Sequence, residues 1–219
     1  METEKEKAVR KSFWITGLAL VVPLVASAQA VPRVEVLGGY SYLRVRGYIA
    51  DESLLVPGAG TFAFPNFGSN GWTGSVAVNA TRWFGVVADV SGLSGMPTKT
   101  IGGAPITIGM REYNYLFGPR FSCRYLRWAL FAHALFGEAH ASVLIGAPEV
   151  LTPIGVVETK FAMAVGTGLD LTVYRQRRNL RGTGQELAIR LGQADWLRTE
   201  FVGGHQNNIR ISTGLVFRF

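Results

Sequence analysis

Read with a period of two, the segment 208–219 separates into two faces. Ile209, Ile211, Thr213, Leu215, Phe217 and Phe219 fall on one, and Asn208, Arg210, Ser212, Gly214, Val216 and Arg218 on the other. Alternation of this kind marks a β-strand with hydrocarbon on one side and a polar lumen on the other. Seven earlier segments alternate similarly: 33–46, 71–79, 83–93, 110–122, 128–141, 159–172 and 186–200, with 207–219 as the eighth. In the seventh the period breaks once. Leu187, Ile189 and Leu191 share one parity while Ala194 and Trp196 share the other, so a β-bulge near Gly192-Gln193 is predicted, keeping these residues outward with Arg190 and Asp195 inside.

Strands of about 9–14 residues suffice for tilted membrane crossings. The pattern therefore predicts an all-β fold, an eight-stranded antiparallel up-and-down transmembrane β-barrel. An even count puts both termini on the periplasmic side. The connections at 80–82 and 123–127 are short, and those at 47–70, 94–109 and 142–158 are long, as periplasmic turns and extracellular loops should be. Trp72, Trp83, Tyr125, Trp128 and Trp196 are the expected interfacial girdles. A soluble sandwich or lipocalin-like barrel would place its apolar face inside instead.

The start of the chain adds a destination. Arg10 and Lys11 precede an apolar run, 13–25, broken only by Thr16, Gly17 and Pro23, and small residues follow at 26–30. This predicts a secretory signal peptide over 1–30, cleaved after Ala28 or Ala30, with a barrel domain over 31–219. The acids Glu2, Glu4 and Glu6 are unusual there and raise a later translation start. A hydrophobic content of 48% with 27 Gly suits strands and turns. Cys123 is the single cysteine and has no partner for an internal disulfide.

The net charge is +7; removing residues 1–30 deletes four basic and three acidic residues and leaves +6. The Arg residues are scattered over strands and turns, with no basic helix or aromatic platform, which argues against nucleic acid. Contact with outer-membrane lipid and lipopolysaccharide is the expected use of this charge. Arg175, Arg177, Arg178 and Arg181 on the last periplasmic turn invite contact with anionic headgroups, or simple solvation.

Inside the barrel, the inward parity collects Glu35, Asp89, Glu112, Asp170 and Asp195 with Arg120, Arg190, Arg210, Arg218 and His133. Unpaired buried charge is expensive, so these groups are expected to form one ion-pair and hydrogen-bond network that plugs the lumen. The alternative is a narrow pore for small solutes or ions lined by the same charges. No metal constellation is read, because His133, His140 and His205 lack ligand spacing, and no cofactor is implied.

The segments 34–42, 82–89, 117–122 and 193–196 (VEVLGGYSY, RWFGVVAD, FGPRFS, QADW) resemble the OmpA/OmpX-like outer-membrane β-barrel superfamily, in particular its small single-domain members. The resemblance covers 33–219 and lacks the peptidoglycan-binding domain of OmpA itself. It implies export through the periplasm to the outer membrane. It also implies a C-terminal strand, with Leu215, Phe217 and Phe219, read by the barrel-assembly machinery. It does not imply an activity, since the superfamily holds adhesins, anchors, small pores and enzymes. An enzyme is not expected. The one candidate is His140-Ala141-Ser142, which resembles the His and Ser of lipid A deacylases, but Val143 stands where Asn would be and an orienting carboxylate, Glu158, is only a guess.

The outer loops are unusually apolar: Leu54, Leu55, Val56, Phe62, Phe64 and Phe67, then Ile101, Ile106 and Ile108, then Leu144, Ile145, Val150, Leu151, Val156 and Val157. Such loops either pack over the barrel mouth or continue the hairpins as a protruding sheet. A protruding edge could accept an extracellular protein partner through 47–70, 94–109 and 142–158. The leading reading is a structural or surface-adhesion role.

Overall fold

A computed structural model describes residues 32–45, 48–51, 61–64, 66–101, 104–146, 154–176, 184–201 and 204–219. The expected signal peptide lies outside them, as do Leu54, Leu55, Val56, Val150 and Leu151.

The strands are β1 (Val34–Val45), β2 (Tyr48–Asp51), β3 (Thr61–Phe64), β4 (Phe67–Asn79), β5 (Phe84–Gly95), β6 (Thr98–Ile101), β7 (Ala104–Tyr125), β8 (Trp128–Gly146), β9 (Ile154–Arg175), β10 (Glu186–Phe201) and β11 (Gly204–Arg218). Antiparallel pairing runs β5-β4-β1-β11-β10-β9-β8-β7, and a further β5–β7 ladder closes the ring into an eight-stranded barrel. Closure leaves no sheet edge within the membrane, as hydrocarbon requires. β2 and β3 form a separate hairpin, and β6 pairs with the start of β7.

The register fixes the stagger. The Asn79 N–H at the end of β4 donates to the Arg33 carbonyl just before β1, and the ladders then run Asn79–Gly85, Gly85–Arg120, Arg120–His133, His133–Gly166, Gly166–Asp195, Asp195–Arg210 and Arg210–Leu43. One circuit returns to the first strand ten residues higher (43 − 33). Such a stagger forces the strands to tilt. Tyr115 to Tyr125 is ten residues on β7; at about 3.3 Å each and roughly 40° of tilt this spans about 25 Å, the height of an outer-membrane apolar band.

The outside of that band is apolar. Phe117, Phe121, Leu130, Phe136, Phe161, Val165, Ile211, Leu215 and Phe217 are all exposed on it. Aromatics flank it below, at Trp83, Tyr125, Trp128 and Tyr174, and above, at Tyr40, Trp72 and Tyr113. The upper ring needs Gly92, between Trp72 and Tyr113 in the ladders, because a side chain there would meet both rings.

Two connections are tight. Thr81 Oγ1 accepts the Phe84 N–H at 2.9 Å in the β4–β5 turn. Leu126-Arg127 alone joins β7 to β8, with Leu126 at φ 55.

The long outer connections are partly strand. β7, expected at 110–122, begins at Ala104; β8 runs on to Gly146; β9 begins at Ile154, not at 159. Continuous cross-strand pairing, Thr107–Gly146 and Ile145–Ile154 at its top, outweighs the loop signal of Pro105 and Gly109. Likewise Phe67, expected in a loop, opens β4 and packs on the inner apolar cluster.

Candidate functional site: the polar lumen

The period-two pattern sends one face of every barrel strand inward. All ten charged or titratable residues expected there are buried: Glu35, Asp89, Glu112, Arg120, His133, Asp170, Arg190, Asp195, Arg210 and Arg218. The bulge in β10 lies at the register shift between Arg190 and Gln193. Leu191 and Trp196 are exposed on either side of it, while Arg190 and Asp195 both turn inward.

Near the periplasmic end the network centres on Glu35 and Asp170. Glu35 takes Arg120 and Arg218, each at 3.3 Å, together with Arg124 and the Asn79 amide at 2.9 Å. Asp170 takes Arg190 at 2.8 Å, Arg218 at 2.7 Å and Arg120 at 3.7 Å. Phe131 stands between Arg120 and Arg190, with both guanidinium carbons 4.2 Å from its ring centroid. The ring separates two like charges while offering each a π face. Gln193 links this group to the next, accepting from Arg190 at 2.7 Å and donating to Asp195 at 2.8 Å.

Higher in the lumen, Arg210 bridges Asp89 and Asp195, each at 2.7 Å, and donates to Ser91 at 3.0 Å. His133 Nε2 lies 2.9 Å from Asp195. Around and above Arg210 the inner wall turns apolar, with Leu43, Leu93, Leu135, Leu197, Ala139 and Ala162 in one buried cluster. Glu112 sits among these at the outer end. It is brought inward with the others, but no ion pair reaches its carboxylate, whose hydrogen-bonding neighbour is the Asn114 side chain.

Sequence reasoning missed Arg124, Asn79, Gln193 and Phe131. Arg124 falls within the short connection expected at 123–127, yet the alternation continues through it to Tyr125, and that continuation is the available signal. Phe131 shares the parity of His133, but an apolar residue on a polar face carries no mark in the sequence.

No family model and no curated protein matches this sequence. Solved structures do. The attachment invasion locus protein Ail of Yersinia pestis, crystallised with the heparin analogue sucrose octasulfate, superposes with a TM-score of 0.51 at 15% identity, over 85% of this chain and 98% of Ail. The chain shares the fold of Ail, an eight-stranded up-and-down β-barrel. Neisserial surface protein A aligns at 11% identity over 85% of this barrel and 97% of its own chain, with a TM-score of 0.48. The N-terminal barrel domain of Pseudomonas aeruginosa OprF aligns at 8% identity over 86% and 99%, with a TM-score of 0.40.

On the outer face of this barrel, Leu215, Phe217 and Phe219 are exposed along β11 and beyond it. His140 and Ser142 do share a face, but His140 Nδ1 bonds Thr159 Oγ1 at 2.8 Å. Glu158, the guessed orienting carboxylate, pairs with Ala141 and so lies on the other face of the sheet from His140.

Proposed function

We propose that this protein is a plugged outer-membrane barrel whose work is done by its outer hairpins, as a structural or surface-adhesion element, and not by passage through the lumen. The continuity of the buried network from Glu35 to Arg210 carries this reading, because an eight-stranded barrel has little more room than its side chains fill. The same charges would line a pore only if several buried ion pairs separated together, which is costly. Single-channel recording of the refolded barrel in a planar bilayer tests it. No conductance is expected. A steady conductance that changes on Glu112→Gln or Arg120→Gln would make the barrel a pore.

The adhesive part rests on β7, β8 and β9. Their upper ends run beyond the Tyr113 ring by up to nine residues, or about 20 Å at the same rise and tilt, and the upper end of β9 has β8 on one side only. Such an edge accepts a partner strand. Exposed Arg44, Arg111 and Lys160 at this end suit a polyanion, whether lipopolysaccharide or a sulfated glycan of the class represented by the ligand bound to Ail. Replacing Arg111 and Lys160 together by Gln should reduce binding to host-cell surfaces or heparin without changing barrel insertion. Unchanged binding would remove the adhesive reading.

A further inference from the structure

The buried network is not neutral along its length. Near the periplasmic end, Glu35 and Asp170 face Arg120, Arg124, Arg190 and Arg218, two acids against four cations. In the outer half, Asp89, Asp195 and Glu112 face Arg210, three acids against one cation, with His133 bonded to Asp195. The two halves are therefore +2 and −2 with His133 neutral. Protonating His133 reduces the outer excess to one but serves Asp195, leaving Glu112 as it was.

Glu112 is 1% exposed, and the side chain that approaches its carboxylate as a hydrogen-bond partner is Asn114. Asn114, two residues along the same face, is fully buried; its amide group serves Glu112 and Ser91, and its Oδ1 has no partner. Arg210 is the nearby cation, and it is already shared by Asp89 and Asp195. Lys160, exposed at the rim, makes no ion pair with Glu112. The register brings two more unpartnered oxygens, Thr199 Oγ1 and Gln206 Oε1, to this height from the other walls. A buried carboxylate with a neutral amide for its neighbour, beside acceptor oxygens and in a region with surplus negative charge, lacks a counter-ion of its own.

We propose that the outer mouth of the lumen binds one hard divalent cation, Ca²⁺ or Mg²⁺, through Glu112 and Asn114. An all-oxygen donor set selects such ions over soft metals, and one divalent ion matches the surplus of two. Among the described residues no three His, Cys, Asp or Glu side chains converge as a cage. The ion therefore keeps much of its water, and the affinity expected is that of weak extracellular sites, a Kd of about 10⁻⁴–10⁻³ M. The site is independent of the adhesive reading.

The test is calorimetric titration of CaCl₂ into the refolded protein in a zwitterionic, lipopolysaccharide-free detergent, with folding verified by heat-modifiable migration. The wild type should bind one Ca²⁺. Glu112→Gln should weaken binding at least tenfold, Asn114→Asp should tighten it about tenfold, and the exposed-acid control Glu200→Gln should leave it unchanged. In EDTA, Glu112→Gln should need more urea to unfold than the wild type, and Ca²⁺ should narrow that gap. A folded wild type that binds no Ca²⁺, a Glu112→Gln barrel that binds it equally well, or binding lost in Glu200→Gln alone would overturn the proposal. Should Glu112→Gln not fold, an Asn114→Asp barrel with unaltered affinity would overturn it as well.

Discussion

The ring of Phe131 occupies the space that a side chain at Gly168 would fill. The two residues pair across β8 and β9, and a Cβ on Gly168 would meet the far end of the ring. Gly168 thereby sets where Phe131 lies, and Phe131 sets the separation of Arg120 and Arg190. Gly168→Ala should push the ring into both guanidinium groups and cost about 1–3 kcal/mol, as overpacking does. The check is the urea midpoint of the heat-modifiable band.

Much of this site is legible in the sequence because a lipid-facing strand has no freedom in its parity. Once Phe117 and Phe121 are outward, Arg120 is inward, and the bulge at Arg190–Gln193 follows from one broken alternation. What alternation cannot reveal is which inward residues meet. Gly168 faces Phe131 only because of the register between two strands, and Arg124 reaches Glu35 only because three neighbouring ladders bring β7 toward β1. The outer strand ends were illegible for a different reason. Above the membrane both faces see water or protein, so the polar–apolar alternation that marks 110–122 fades at 104–109 while the pairing persists.

Arg210 should be the least replaceable cation in the lumen. It is fully buried and serves two carboxylates, Asp89 and Asp195, at 2.7 Å each. Arg210→Met leaves both without their main counter-charge, and a loss of about 3–5 kcal/mol is expected. Combining it with Asp89→Asn and Asp195→Asn should recover most of that loss, because a neutral cluster of similar volume carries no stranded charge. Urea titration of the single and triple variants in one detergent tests both halves of this expectation.

The bulge in β10 makes a second demand, on the lipid side. Where the register shifts after Arg190, Thr213 Oγ1 donates to the Arg190 carbonyl at 2.7 Å. A carbonyl left open to hydrocarbon has no water to turn to. Thr213→Val, nearly isosteric and better suited to lipid, should still destabilise the barrel by about 1–3 kcal/mol, the desolvation cost of that carbonyl. Thr167 makes the same kind of bond to the Phe131 carbonyl at 2.7 Å, but in a regular stretch of ladder. Thr167→Val should therefore cost less than Thr213→Val, and equal losses would show that the bulge carbonyl is not the cause.

The β7–β8 turn offers the opposite sign. Leu126 holds φ at 55, a left-handed conformation costing a non-glycine residue about 1–2 kcal/mol, and its side chain is 76% exposed. Tyr125 pairs with Trp128 around only two residues, so the turn cannot relax without breaking the first rung of the ladder. Leu126→Gly removes the left-handed penalty but adds freedom to the unfolded chain, which opposes it by about 0.5–1 kcal/mol. The balance is a gain of about 0.5–1 kcal/mol, read as a higher urea midpoint. Leu126→Ala keeps the strained backbone and should give no such gain. If both substitutions lowered stability equally, the Leu126 side chain would be anchoring the turn in the membrane interface, and the backbone would not be what limits it.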